Sequence, residues 1–383
     1  MDGTHSFLKE SIMFIGVPKE IKSFEYRVGL IPSSVRELIA HGHRVIIEKG
    51  AGEKIGFDDH AYQQVGAEIA AHAADIFQKS DMIIKVKEPQ PQECKLLREN
   101  QILFAYLHLA PDPEQAKLLQ ASGCIAIAYE TVTGRLGGLP LLAPMSEVAG
   151  RMAIQAGATS LEIKNGGCGM LLGGVPGVMP ANVVVLGAGV VGTNAIRVAI
   201  GMGARVVVID KALDRLYHLD VQFGSTINTI FSTTDSIEEH VLNADLVIGA
   251  VLIPGASAPR LVKKEMLKHM RPGSVMVDVS IDQGGCFETS KPTTHEHPTY
   301  IEDGIVHYCV TNMPGAVPRT STVALNNATL PFILALANEG YKKAMQHNPH
   351  LMHGLNVCHG EITYQAVADA LREPYTPAEQ MIG

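Results

Sequence analysis

NVVVLGAGVVG, residues 182–192, joins a run of β-branched residues to a glycine-rich turn at the mouth of a helix-forming segment, TNAIRVAIGMG at 193–203. A strand that ends in G-x-G-x-x-G and opens a helix is the arrangement that binds dinucleotides. Gly187 allows the tight turn, Gly189 lets the backbone approach a pyrophosphate, and Gly192 permits close packing of helix on strand. The helix N-terminus adds unpaired N–H groups that face the anion. Asp210, eighteen positions beyond Gly192, closes the next strand, RVVVID, where an acid accepts from the adenosine ribose hydroxyls. The same carboxylate repels the extra 2′-phosphate of NADP, so NAD is the expected cofactor. Arg215 follows closely enough to reach the cofactor, although a first-turn helix residue is ordinarily solvated.

Outward from this motif the pattern is repeated β–α alternation. Towards the C-terminus come RVVVID, DRLYHLDVQFG, DLVIGAVL, KKEMLKHM and SVMVDVS. Towards the N-terminus a separate series runs MFIGV, SSVRELIAHG, RVIIE, DHAYQQVG, MIIKV, ECKLLREN, ILFAYL, PEQAKLLQASG and IAIAYE. Each series implies a mostly parallel sheet covered by helices. Between them Met145–Ile163 reads as one long helix, with Ser146 a possible cap and Ala149, Ala153, Ala156 and Ala158 available for close packing. After about Val310 a long helical stretch, STVALNNATLPFILALANEG, leads into a polar tail. The expected architecture is α/β with two Rossmann-like lobes. A dinucleotide domain, 141–318, is inserted between the two parts, 13–140 and 319–383, of a catalytic domain. Residues 1–12 are expected to be a leader or a remnant of expression.

Composition narrows the function. The chain has 383 residues, a formal charge of -8 and 31 Lys and Arg spread along its length, which argues against a nucleic-acid partner or an anionic membrane surface. Residues 165–196 carry no charge, but glycine and proline punctuate the first half of that stretch, so it does not read as a membrane span. The six cysteines are scattered and form no Cys-x-x-Cys pair, so neither a disulfide framework nor a metal site is expected. Buried free thiols suit a cytoplasmic protein.

Ligands in open α/β sheets sit outside the carboxyl ends of the strands. Charged residues at such places in this chain are Arg27 after KSFEY, Lys85 and Lys87 in MIIKVK, His108 ending ILFAYLH, and Asp282 in SIDQGG. Each has an ordinary structural alternative: a solvated arginine, a snorkelling lysine or a hydrogen-bonded histidine. Lys85 and Lys87 lie two apart on one strand face, so spacing does not choose between them. Gly284 and Gly285 let the chain turn sharply after Asp282.

The runs GVPKEIKSFEYRVGLIP, IIKVKEP, AYLHLA, APMSEVAGRMA, GGVPGVMPANVVVLGAGVVG, DLVIGAVLIPGA, VDVSIDQGGCFETSKPTTHEHPTY and VTNMPGAVPRTST together resemble the alanine dehydrogenase family, from Met13 to the C-terminus. The resemblance implies that Arg27 and Lys87 hold the substrate, that His108 is the acid/base, and that Asp282 stands beside the nicotinamide. It also implies that Ser146, Asp210, Ile281 and the Asn312-Met313 turn line the cofactor, with Val310 nearby, and that the protein is a homohexamer. The reaction implied is reversible oxidative deamination of L-alanine to pyruvate and ammonium with NAD. Two alternatives remain: the NAD(H)-binding subunit of a transhydrogenase, which resembles the family in fold but performs no substrate chemistry, so that the Arg27, Lys87 and His108 set argues against it, and a saccharopine-type enzyme joining lysine to a keto acid.

Overall fold

The computed structural model describes residues 12–251 and 258–383. The first eleven residues of the expected leader, and positions 252–256 of the run DLVIGAVLIPGA, lie outside the described residues. The chain divides into two compact units, Met1–Pro144 with Val317–Gly383, and Met145–Ala316.

The first unit opens with β1 (Phe14–Val17), α1 (Pro32–Ala40), β2 (Arg44–Glu48), α2 (Asp59–Gln64), β3 (Glu68–Ala70) and α3 (Ala73–Lys79). It continues with β4 (Met82–Ile84), α4 (Pro91–Cys94), β5 (Ile102–Ala105), α5 (Pro113–Ser122) and β6 (Ile125–Ala128). The six strands pair in parallel in the order β3-β2-β1-β4-β5-β6. β4, β5 and β6 are buried at every position, as a sheet covered on both faces requires. Local signals set the helix ends: Asp58 caps α2 by accepting from Ala61 N (2.8 Å), and α5 begins at Asp112-Pro113 and stops at Gly123 with φ 67°.

Helix α6 (Ala143–Ser160) leads into the second unit. It starts two residues earlier and ends three earlier than the spacing suggests, so Ser146 lies inside the first turn and is not its cap. Its small residues do bring elements close: a Cβ on Gly150 would collide with the carbonyl oxygen of Val191. There follow β7 (Asn182–Leu186), α7 (Val190–Gly201), β8 (Arg205–Asp210), α8 (Leu213–Phe223), β9 (Ile227–Phe231), α9 (Thr234–Leu242) and β10 (Leu246–Gly249). Then come α10 (Lys264–Leu267), β11 (Val275–Asp278), β12 (Thr299–Glu302) and β13 (Ile305–Tyr308). The order is β9-β8-β7-β10-β11-β13-β12, parallel except for β12. The uncharged stretch 165–196 is thus a loop, a core strand and the start of α7.

The chain returns to the first unit through α11 (Pro318–His347), kinked at Gly340, and α12 (Pro349–Met352). β14 (Leu355–Cys358), β15 (Glu361–Ile362), α13 (Gln365–Leu371) and α14 (Ala378–Ile382) follow. The expected polar tail is therefore structured: β14 pairs antiparallel with β6 and extends the first sheet. Six further elements, β3, α3, β9, α9, β12 and β13, also escaped the sequence pattern, and the expected helix ECKLLREN is a single turn at 91–94. β3 and β9 are half exposed, so they lack the apolar runs that mark the inner strands.

Among the described residues α11 alone is long and apolar enough to cross a bilayer, with a mean hydropathy of 1.2. It also buries Ser321, Thr322, Asn326 and Thr329. Asn326 accepts from Ile31 N (2.8 Å) and donates to Gly29 O (3.2 Å), while Thr322 Oγ1 accepts from Val28 N (3.4 Å). These bonds satisfy the non-strand backbone that follows Arg27, so α11 is a core helix of the first unit. Asn326→Ala leaves a buried donor and a buried acceptor unpaired, each worth about 1–3 kcal/mol. The expected result is a folded protein with a clearly lower urea midpoint, and an unchanged midpoint would remove this role from α11.

Candidate active site

The order of the parallel strands reverses once in each sheet, between β1 and β4 in the first and between β7 and β10 in the second, and ligands bind at such switch points. Arg27, Lys85, Lys87, His108, the glycine turn, Asp210 and Asp282 lie at or beyond the carboxyl ends of β1, β4, β5, β7, β8 and β11, whereas Ser146 and Arg215 lie on α6 and α8.

In the second unit the turn after β7 is built by steric exclusion. Gly187 has φ 106°, and a Cβ there would stand 2.6 Å from Ala250 O; a Cβ on Gly192 would collide with Gly187 O. Gly189, the N-cap of α7, is different: a Cβ there would meet only the Nη1 of Arg215, at 3.4 Å. The cap makes no side-chain hydrogen bond, so the first-turn amides of a twelve-residue helix are left for an anion. Arg215, exposed on the first turn of α8, thus reaches over the glycine turn instead of only facing solvent. Asp210 ties the same region together, accepting from Ala188 N (2.7 Å) and Ala212 N (2.8 Å). Each carboxylate oxygen retains a further lone pair for a ribose hydroxyl. Uncapped amides, an open glycine face, a cation and an acid fit a dinucleotide.

The turn carrying Ile281 and Asp282 hangs on a residue the sequence reading passed over. Asp278, at the end of β11, is fully buried and accepts from Ser280 N (3.0 Å), Cys286 N (2.8 Å), Phe287 N (3.4 Å) and the Ser290 hydroxyl. Burial raises its pKa, opposed by those hydrogen bonds. Ser280 Oγ in turn donates to Val251 O (2.7 Å), next to the Ala250 that crowds Gly187. Ile281 is buried on this turn and Asp282 exposed. Val310 and Met313 are buried in one apolar cluster with Ala188 and Ala250. Asn312 between them has φ 59°, and its carbonyl oxygen meets Gly315 N (2.9 Å) and His295 Nε2 (3.2 Å). Ser146 is half-buried on α6.

In the first unit the loops after β1, β4, β5 and β6 carry the charged set. Arg27 is 2% exposed and lies in a bidentate pair with Glu25, Nε to Oε1 2.7 Å and Nη2 to Oε2 2.6 Å. The structure separates the two lysines. Both lie beyond the end of β4. Lys85, 0% exposed, is caged by Glu20 (3.1 Å) and Glu93 (2.8 Å). Burial alone would lower its pKa, but the two carboxylates more than offset this and hold it raised. Lys87 has a side chain 17% exposed, with Glu88 at 3.9 Å. Glu88 also pairs with Lys22, and these two lysines hold its pKa below the usual range against burial. Glu20 Oε1 accepts from Val86 N (2.7 Å) and Lys87 N (3.2 Å), which fixes the backbone under Lys87.

His108 stands three residues past β5 with φ 49° and a side chain 47% exposed, its ring stacked on Tyr106 at 6.0 Å. Glu130, in the short turn after β6, accepts from its backbone N–H (2.6 Å). Glu20, Glu25, Glu130 and Asp278 were all missed. The available signal was that each stands at or just beyond the carboxyl end of a strand. Among the described residues no group of three or more His, Cys, Asp or Glu is arranged to hold a metal ion.

Two family models cover most of the chain. The family described as Alanine dehydrogenase/PNT, N-terminal domain, matches residues 16–149, and the corresponding C-terminal domain matches 153–365. A curated alanine dehydrogenase from Halomonas elongata is 57% identical over 371 residues, 97% of this chain and 100% of that one. Another from Bacillus subtilis is 55% identical over 372 residues, 97% and 98% of the two chains. A solved L-alanine dehydrogenase superposes with a TM-score of 0.92 at 51% identity, covering 94% of this chain and 99% of the other. The transhydrogenase from Sinorhizobium meliloti gives 0.78 at 26% identity, covering 92% and 99%.

Gly189→Val places a branched side chain where only Arg215 now approaches. NADH affinity, measured by fluorescence titration, should be lost while the fold survives. Retained affinity would show that this glycine serves packing alone.

Proposed function

The chain belongs to the alanine dehydrogenase/PNT family, and on that footing we propose that Arg27, Lys87, His108 and Asp282 carry out its chemistry on a small amino acid. The reaction is the reversible NAD-linked oxidative deamination of L-alanine: alanine, NAD and water give pyruvate, ammonium and NADH. What carries the reading of the first unit is that Arg27, Lys87 and His108 follow β1, β4 and β5, the strands at and beside its switch point.

NAD, when bound, would supply the acceptor for the hydride that leaves the substrate α-carbon. The residues that would hold it are Gly187, Gly189 and Gly192 with the amides of α7, Asp210 and Arg215 at the adenosine half, and Ser146, Ile281, Val310, Asn312 and Met313 around the remainder. Asp210 disfavours a 2′-phosphate.

Arg27, its plane fixed by Glu25, takes the substrate carboxylate through its rigid fork of donors. Lys87, left partly open while Lys85 is caged, meets the oxygen that becomes the pyruvate carbonyl and stabilises charge developing there. His108 accepts and returns protons as water adds to the imine carbon and ammonia departs, the proton-transfer role that histidine most often serves. Asp282, on the turn braced by Asp278, orients water. The family resemblance further supports a homohexamer in the cytoplasm, which native mass measurement tests.

Spectrophotometry with NAD and L-alanine, against NADH with lysine and 2-oxoglutarate, tests the substrate; oxidation of NADH in the second mixture with no reduction of NAD in the first would overturn the reading. Asp210→Ser should narrow the preference for NAD over NADP. It should also weaken NADH itself, because the same carboxylate braces Ala188. Equal efficiency with both cofactors in the unaltered enzyme would contradict this role.

His108→Ala should lower kcat by roughly 10²–10⁴ with a smaller change in KM, the usual effect of removing a positioned proton-transfer group. It should also abolish the near-neutral limb of the kcat/KM profile. Lys87→Ala should raise KM for pyruvate as well as lower kcat, since the ammonium meets substrate in ground and transition states. Neither should weaken NADH much. Near-normal turnover in His108→Ala would return that residue to a structural role.

A further inference from the structure

The backbone at His108 is held in a conformation that a residue with a Cβ rarely adopts, φ 49°, and the surroundings show what holds it there. Two consecutive amides converge on one side chain. Leu107 N lies 3.2 Å from both Oε1 and Oε2 of Glu130, and His108 N lies 2.6 Å from Oε1. Glu130 is in turn well placed, because it follows β6 directly, and β6 pairs in register with β5 up to Ala105 and Ala128. The same Oε1 stands 3.9 Å from His108 Nδ1, too far for a hydrogen bond but close enough for an ion pair when the ring is protonated. Tyr106 stacks on the ring nearly parallel, at 11°, and is tied through its hydroxyl to Leu141 O (2.5 Å). Burial raises the Tyr106 pKa while nearby Arg27 opposes the rise, so this neighbour stays neutral.

We propose that Glu130 is a positioning residue for the deamination: its carboxylate fixes the left-handed corner at His108 and faces the imidazole as counter-charge each time the ring takes up a proton. It rests on the reading of His108 as the acid/base. A carboxylate is suited to both tasks because it offers only acceptors. Glutamine keeps the shape but puts an NH2 group where one acceptor oxygen was and removes the charge. Outer partners of this kind, which orient a working histidine, typically change activity by about 10–100-fold.

The test compares Glu130→Gln with Glu130→Asp, His108→Ala and the double variant Glu130→Gln/His108→Ala. The measurements are steady-state kinetics with pyruvate, ammonium and NADH, NADH affinity, thermal midpoint, and histidine ring NMR with His108 assigned by its absence in His108→Ala. In Glu130→Gln, kcat should fall about 10–100-fold with KM for pyruvate and NADH affinity little changed. The His108 ring signal should move, and Glu130→Asp should recover part of the loss. In the His108→Ala background, Glu130→Gln should cost nothing more, since residues that act as a unit are not additive.

An equal loss with and without His108 would place the action of Glu130 elsewhere and overturn the proposal. So would full activity and an unmoved ring signal in Glu130→Gln while His108→Ala is impaired. If His108→Ala itself turns over normally, the acid/base reading has failed first, and the single variant reports that independently of Glu130. Glu130→Ala, which leaves two amides without their acceptor, is the variant most exposed to misfolding, and the conclusion does not depend on it.

Discussion

A parallel sheet covered on both faces leaves no room for an unpaired charge, yet a site for an amino-acid carboxylate needs cations at the ends of its strands. The first unit meets both demands by supplying carboxylates with the cations: Arg27 with Glu25, Lys85 with Glu20 and Glu93, and Lys22 and Lys87 with Glu88, while Glu130 stands beside His108. Lys85 is the centre of the arrangement. It joins the loop after β1 to the first turn of α4, and Glu93, one of its partners, also accepts from Gln90 N to cap that turn. Removing one partner of a buried pair of this kind ordinarily costs about 3–5 kcal/mol, because the other charge stays behind. The loops that carry Arg27 and Lys87 are therefore rigid for an electrostatic reason.

The second unit handles charge in another way. Its expected ligand is a pyrophosphate, which backbone amides and a helix terminus can receive without a cluster of cations. The demand falls on space instead, and glycine meets it: Gly187 and Gly192 leave no room for a Cβ, whereas Gly189 leaves an open face. A single cation, Arg215, reaches over that face.

One device is common to both units. Four carboxylates, Glu20, Glu130, Asp210 and Asp278, stand at or after a strand end and accept from the amides of a neighbouring turn. Strand ends leave such amides unpaired, and an acceptor-only side chain is the natural partner. In this way the turns bearing Lys87, His108 and Asp282 are set by residues that need not touch a ligand, and the turn bearing Gly189 by Asp210, which keeps lone pairs for one.

The sequence by itself determined the two β–α series, the inner strands and the glycine turn, because buried parallel strands and steric exclusion are written in contiguous residues. It also determined which strand ends carry charge. Edge elements such as β3 and β9 were not legible, since half-exposed strands carry a weaker apolar signal. The C-terminal strands β14 and β15 were not legible either, because a short strand paired with β6 from the far end of the chain has no local signature. Only the tertiary structure showed which of Lys85 and Lys87, two positions apart and identical in type, is caged. That choice depends on Glu20 and Glu93, which lie 65 and 8 residues from Lys85 and meet it only when the loop after β1 and helix α4 fold together. The same holds for Glu130 beside His108, separated by 22 residues and joined by the pairing of β5 with β6. Hydrophobic period and turn chemistry are local, whereas the pairing of a buried charge is a property of the packed chain.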